Sequence, residues 1–204
     1  MHAEHPAKSD LRSRFDAYRR SLTPAEHAER SAAIATRIAA LPAFQAARCI
    51  HAYWPLERRR EIDLRPLLLA AYGLGKQILL PVVIPQTHTG MTHRLFEGAD
   101  RLRAGSWGVH EPAGDRTVPD AAIDLIIVPA LGADRFGYRL GYGKGYYDAF
   151  LAGLAAPTVC PVFEACLVDA LPREPHDVPV SYLATESRMI RVSHPDATTD
   201  SAAP

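Results

Sequence analysis

Asp124-Leu125-Ile126-Ile127-Val128-Pro129 is the stretch that decides the fold. After its first residue it carries no charge, and it shows no alternation of polar and apolar side chains. A short, β-branched, uniformly apolar run of this kind wants both faces buried, as strands of a parallel sheet do. Similar runs lie at 49–53, 78–83, 158–162 and 182–185. Helical patterns separate them. Leu11, Phe15 and Tyr18 fall at spacings of four and three in a helix over 9–20, whose other face is basic, with Lys8, Arg12, Arg14, Arg19 and Arg20. A second helix starts at Thr23, with Pro24 in the first turn and Glu26 closing a capping box. Its apolar stripe is Ile34, Ile38 and Leu41. Asp63 is placed to cap a third, through Leu67, Leu68 and Ala71, ending near Gly73 or Gly75. A fourth runs over about 146–154. Helices alternating with apolar strands imply an α/β fold with a mainly parallel sheet covered on both faces. Ligands of such sheets bind at the carboxyl ends of the strands.

Composition narrows the function. The 204 residues carry 23 Lys and Arg against 23 Asp and Glu, so the formal net charge is zero. Apolar residues make up 48%, which excludes global disorder. A basic surplus suited to coating nucleic acid is absent. No stretch approaches 18 uncharged apolar residues, and the N-terminus lacks the pattern of a secretory signal. Cys49, Cys160 and Cys166 read as free, buried thiols in a reducing cytoplasm. The length suits a single domain over 1–204, structured from about 8 to 190, with tails at 1–7 and 194–204. The zero charge is a sum of unlike parts. Residues 8–20 hold five basic and two acidic residues, and 134–144 hold three basic and one acidic. If these two converge, they make a cationic pocket inside a neutral protein.

The chemistry concentrates in Gly137-Tyr138-Arg139-Leu140-Gly141-Tyr142-Gly143-Lys144-Gly145-Tyr146-Tyr147-Asp148. Four glycines let the backbone approach a ligand closely. Amides at the start of the following helix favour an anion, and Arg139 and Lys144 add positive charge. Together they describe a phosphate cradle. A Walker A loop would need Ser or Thr after Lys144, where Gly145 stands. A Rossmann fingerprint would need Gly at Tyr146. Asp148 reads either as a metal-holding carboxylate beside phosphates or as a first-turn acid favoured by the helix dipole.

Arg139 to Asp148 resembles the signature of the 5-formyltetrahydrofolate cyclo-ligase family. The resemblance runs from about Lys8 to Glu186. It includes Leu41-Pro42-Ala43-Phe44, Tyr53-Trp54-Pro55, Glu61-Ile62-Asp63, Leu80-Pro81-Val82, Trp107-Gly108, Glu111-Pro112 and His176-Asp177. It implies a three-layer α/β sandwich resembling the sugar-phosphate isomerase/CoA-transferase-like fold. It also implies a cytoplasmic, monomeric enzyme that converts 5-formyltetrahydrofolate to 5,10-methenyltetrahydrofolate with ATP and Mg²⁺, with no nucleic acid or membrane partner. Such chemistry asks for positioning and charge neutralisation rather than an enzyme nucleophile.

Carried over by position, the resemblance gives an ATP site of Lys8, Arg12, Arg139, Leu140, Gly141, Tyr142, Gly143, Lys144, Gly145, Tyr146 and Tyr147. Lys144 and Arg139 are the catalytic pair, with Lys144 at the transferred phosphate. Asp148 and Asp177 hold metal. Leu56, Glu61, Met91, Trp107 and Tyr147 face the folate, with Glu61 accepting two hydrogen bonds from the pterin. This chain departs from the family pattern at Glu57-Arg58-Arg59-Arg60, about two residues longer, where the arginines either hold the folate's glutamate tail or form a solvated loop. It departs again at Cys160 to Ala165, and at Ser181 in place of an Asp. The rival readings are a non-catalytic nucleotide- or RNA-binding relative and a different small ATP-dependent or sugar-phosphate enzyme on the same scaffold.

Overall fold

The computed structural model describes residues 7–84, 87, 89–105 and 108–193. The expected tail at 194–204, and all but Ala7 of the one at 1–7, lie outside them. So does Trp107.

The helical patterns fold where their spacing predicts. Helix α1 spans Lys8–Ser21 and α2 Pro24–Ala39. Between them the Thr23 side chain accepts from the Glu26 amide at 3.2 Å, and the Glu26 carboxylate accepts from the Thr23 amide at 2.7 Å. This reciprocal box satisfies donors that a helix start leaves without partners. A short α3 (Pro42–Ala46) follows, and α4 runs over Arg65–Gly73. The cap residue of α4 is Leu64 rather than Asp63. Asp63 serves from one position earlier, accepting from the Arg65 amide at 3.0 Å and pairing with its guanidinium. The last helix, α5, is Tyr146–Leu151, three residues shorter than its sequence pattern suggests. Gly153 at φ +87° turns the chain where a longer helix would continue.

The main sheet is built from β1 (Cys49–His51), β2 (Gln77–Val83), β3 (Met91–Leu95), β6 (Leu125–Ile127), β9 (Thr158–Pro161), β11 (Tyr182–Ala184) and β12 (Met189–Arg191). Their order is β12-β11-β9-β6-β1-β2-β3. The five central strands are parallel, and each edge strand is antiparallel to its neighbour. Leu125, Ile126, Ile127 and Val128 are fully buried, which is why this segment reads as uniformly apolar. Asp124, the charged residue that opens it, binds the amides of Arg48 and Cys49 at 2.8 and 2.9 Å and sets the β1–β6 register. The edge strands β3 and β12 are more polar and solvated on one side, so they give little sequence signal.

Two smaller sheets complete the fold. Strands β4 (Leu102–Ala104) and β5 (His110–Pro112) pair antiparallel. Strand β7 (Gly132–Asp134) pairs antiparallel with β8 (Arg139–Leu140) and parallel with β10 (Leu167–Val168). The β7–β8 turn is organised by buried Asp134. Its carboxylate accepts from the amides of Phe136, Tyr138 and Leu171 at 2.9, 3.0 and 3.0 Å. Gly132 lies so close to α1 that a Cβ there would meet Phe15 at 2.3 Å.

The three cysteines are buried and unpaired, as their spacing predicts. Burial pushes the Cys49 and Cys166 thiols up to about 11 and Cys160 up to about 12. They are packing residues, not nucleophiles. Among the described residues, no helix is long and apolar enough to cross a membrane.

Candidate functional site

The strand order places the site. From β1 the chain builds outward to β2, whereas from β6 it builds the opposite way to β9 and β11. Strands β1 and β6 are neighbours, so the loops leaving their carboxyl ends diverge and open a crevice. A cavity of about 180 Å³ lies there. Tyr53, Trp54, Leu56 and Glu61 line it from the loop after β1, and Pro129 from the end of β6. Met91 and Val83 come from β3 and β2. Arg139, Gly141, Tyr142, Tyr146, Tyr147 and Asp148 come from the Gly-rich segment.

The loop after β1 is shaped around Glu61. Its carboxylate is buried and accepts from the Leu56 amide at 2.9 Å. Burial raises its pKa, and the Leu56 amide, the Arg19 charge, the Tyr142 hydroxyl and the Arg59 charge each oppose that rise. Of the three arginines of the lengthened segment, Arg59 and Arg60 are partly buried and engaged by neighbours, while Arg58 is exposed. Arg60 adopts a left-handed conformation at φ +46°, sparsely allowed for a side chain with a Cβ. Its guanidinium holds that turn by donating to the carbonyls of Arg19 and Leu22 at 2.8 and 2.6 Å. Arg59 stacks on the Tyr142 ring with its Cζ 4.2 Å from the centroid. Arg58 lies beside Gly108.

The Gly-rich loop lies under α1. Arg12 donates to the Gly141 carbonyl at 2.9 Å, and its guanidinium covers Gly143, which sits at φ +84°. A side chain at that position would be strained and would press on Arg12. The two basic segments that the sequence sets far apart therefore do converge. Lys144 is exposed at the loop tip and does not line the cavity. Arg139 begins lower, in β8, and its side chain is only 4% exposed. It donates to the Val178 carbonyl and to Asp148 Oδ1, the latter at 3.0 Å. Asp148 also accepts from the Val178 amide at 3.2 Å.

Asp177 stands in the same 174–178 turn. It accepts from the Glu174 amide at 2.8 Å and pairs with Lys8 at 3.1 Å, while Lys8 pairs with Glu174 at 2.8 Å. Lys8, Asp177, Arg139 and Asp148 are thus tied through one turn. Among the described residues, no group of three or more His, Cys, Asp or Glu stands close enough to hold a metal alone. Two carboxylates tied to one turn still suit Mg²⁺, which takes few protein ligands and fills its shell with water and phosphate oxygens.

Two residues important to this site are not singled out by the sequence reading. Arg19, counted there on the basic face of α1, is 2% exposed and points inward. It donates to the Ala130 carbonyl and, at 3.3 Å, to the Tyr142 hydroxyl. The signal was present, because Leu11, Phe15 and Arg19 continue one buried face at four-residue steps. His51, in β1, is fully buried, and neither ring nitrogen has a hydrogen-bond partner among the described residues. It packs against Phe150 at 4.6 Å between ring centroids and lies beside His93 and Tyr147. Burial, helped by His93, lowers its pKa to about 3, so the ring is neutral. The Tyr147 hydroxyl beside it is also buried without a partner among the described residues.

Known proteins are similar to this chain in sequence and fold. The model of the 5-formyltetrahydrofolate cyclo-ligase family matches residues 4–186. The 5-formyltetrahydrofolate cyclo-ligase of Escherichia coli K12 is 29% identical over 176 residues, covering 84% of this chain and 96% of the relative. That of Mycolicibacterium smegmatis is 38% identical over 133 residues, covering 61% of this chain and 67% of the relative. The NMR structure of 5,10-methenyltetrahydrofolate synthetase from Aquifex aeolicus superposes with a TM-score of 0.81 at 28% identity, covering 95% of this chain and 97% of that one. With a family match spanning most of its length and an α/β frame shared with a solved synthetase, the chain belongs to the 5-formyltetrahydrofolate cyclo-ligase family.

Proposed function

We propose that this chain converts 5-formyltetrahydrofolate to 5,10-methenyltetrahydrofolate at the expense of ATP, releasing ADP and phosphate. One observation carries the reading: a buried carboxylate, Glu61, and a basic Gly-rich loop line the same crevice at the sheet's switch point. Nucleic-acid binding does not call for a buried acid.

In this reading the pterin amino group and ring N–H donate to Glu61, while Leu56, Met91 and Tyr147 bound the ring. Trp107 joins them on the strength of the family resemblance. The triphosphate lies on the loop, over residues 139–147, with Lys8 and Arg12 closing from α1. The formyl oxygen attacks the γ-phosphorus and ADP leaves. N10 then attacks the activated formyl carbon, the C–O bond breaks, and phosphate departs with that oxygen as N10 loses its proton. Lys144 neutralises charge at the transferred phosphate. Arg139 fixes Asp148 from beneath. Asp148 and Asp177 would hold Mg²⁺, which supplies charge neutralisation on the phosphate oxygens. We read the frame as a three-layer sandwich of the sugar-phosphate isomerase/CoA-transferase-like kind, supported by its strand order. We read the protein as a monomer and as cytoplasmic, the latter because three free thiols suit a reducing compartment.

Ligand-linked stability tests the reading. Saturating 5-formyltetrahydrofolate at roughly 100 times its Kd stabilises the fold by about 2.7 kcal/mol, and Glu61→Gln removes that effect. The absence of any stabilisation by the folate contradicts it.

A further inference from the structure

Arg19 is the largest charged side chain in the interior, and the reaction scheme above gives it no task. It is 2% exposed, and its Nε has no hydrogen-bond partner among the described residues. Its guanidinium forms no ion pair there either: its bonds go to the Ala130 carbonyl and the Tyr142 hydroxyl. A buried cation without a carboxylate against it is costly unless a charge nearby balances it. Glu61 is that charge. The Tyr142 hydroxyl receives a hydrogen bond from Arg19 at 3.3 Å, and Tyr142 lines the same cavity as Glu61, so a single phenol stands between the two. On the other side of the same ring lies Arg59. Tyr142 is therefore held between two guanidiniums, with its hydroxyl turned to the buried acid.

This makes a continuous link between parts of the site that the sequence keeps apart. Arg19 belongs to α1, which also carries Lys8 and Arg12 over the phosphate loop. Tyr142 sits within that loop, between Gly141 and Gly143. Glu61 belongs to the loop after β1. We propose that Arg19 is a positioning residue for the folate cavity: through the Tyr142 hydroxyl it fixes the Gly-rich loop against Glu61 and supplies the charge that balances that carboxylate. The inference rests on the reading of Glu61 as the pterin's partner.

The groups facing Glu61 are Arg19 from α1, Arg59 from the 57–59 turn, Tyr53 after β1, and Tyr142 and Tyr147 from the Gly-rich segment. The His27 ring of α2 meets Glu61 at its backbone carbonyl, 3.0 Å away. Burial raises the pKa of all three phenols, so they stay protonated through the neutral range. Arg19 and Arg59 are the cations opposing protonation of Glu61. Removing Arg19 lets burial dominate further, and the carboxyl protonates at a higher pH.

The experiment is an equilibrium titration of 5-formyltetrahydrofolate binding without ATP, across pH 5.5 to 8.5. It compares wild type, Arg19→Met, Arg19→Lys, Tyr142→Phe and Glu61→Gln. The acid limb of binding shifts upward by about one pH unit in Arg19→Met, which weakens binding up to about tenfold at the acid end of the range and far less at the alkaline end. Arg19→Lys keeps a charge and stays near the wild-type limb. Tyr142→Phe cuts the bridge while leaving Arg19 in place, so it also shifts the limb upward. This second variant decides the matter if Arg19→Met does not fold. A limb unchanged in the folded variants overturns the inference, as does an equal shift in Arg19→Lys and Arg19→Met, which would mark a packing role. Wild-type folate affinity in Glu61→Gln overturns the Glu61 reading and this inference together. Lost affinity in Glu61→Gln beside an unmoved Arg19→Met overturns the Arg19 inference alone.

Discussion

Replacing His51 by Leu should flatten the acid limb of this protein's stability. In the fold the ring is fully buried, its nitrogens bond to nothing among the described residues, and its neighbours are His93, Tyr147 and Phe150. Burial lowers its pKa from 6.5 to about 3, with His93 adding to the shift. The sign follows from which state takes the proton. Above 6.5 the ring is neutral in both states and costs nothing extra. Below 6.5 the unfolded chain binds a proton that the fold refuses, so stability falls as pH falls, down to about 3. At pH 5 the unfolded ring is almost fully protonated and the folded one is not, a loss of about 2 kcal/mol relative to pH 7. Leu is of similar volume and has no proton to gain. Denaturant unfolding at pH 7 and pH 5, extrapolated to water, should show wild type losing about 2 kcal/mol more than His51→Leu. At pH 7 the variant should be as stable as wild type or more so, because two unsatisfied buried nitrogens disappear. Equal losses in the two proteins would refute the argument, since they would mean that the folded ring takes up the proton as readily as the unfolded one.

Other outcomes follow from the same geometry. Lys144→Ala should lower kcat by roughly 10²–10³ if Lys144 neutralises charge at the transferred phosphate. Its thermal midpoint should move by less than about 2 °C, because the side chain is exposed at the loop tip. Asp148→Ala should raise the Mg²⁺ concentration needed for half-maximal activity. It should also destabilise the fold by about 2 kcal/mol, because it strips the buried Arg139 guanidinium of its carboxylate; a Mg²⁺ titration and a denaturant melt read the two effects separately. Thr23→Ala removes the capping box of α2 and should lower the melting midpoint by about 2–4 °C without changing KM.

The central strands were legible because burial on both faces leaves a run such as Leu125–Ile127 with no polar position to confuse its period. The Thr23 box was legible because capping is local chemistry. The Gly-rich loop was legible for the same reason, and Arg12 does reach it. What escaped depends on partners distant in the chain. Arg19 looks like one more member of a basic helix face until Ala130 and Tyr142 arrive beside it. His51 is a lone polar residue in an apolar strand, and only the packing of Phe150 and His93 shows that it has no partner. The β7–β8 hairpin is hidden because Asp134, a charged residue that suggests a surface loop, is buried by the backbone amides it collects. The 58–60 run reads either as a hold on the folate's glutamate tail or as a solvated loop, and only folding shows Arg59 on Tyr142 and Arg60 on the carbonyls of Arg19 and Leu22.

The central claim is that Glu61 and the Gly-rich loop form one ATP-dependent ring-closing site. Purified protein mixed with 5-formyltetrahydrofolate, ATP and Mg²⁺, followed by methenyl-folate absorbance and by ADP release, tests it most directly. The expected result is one ADP for each methenyl-folate formed, no product without ATP, and little product from Glu61→Gln or Lys144→Ala. A folded protein that forms no methenyl-folate under these conditions, or that forms it without consuming ATP, contradicts the account.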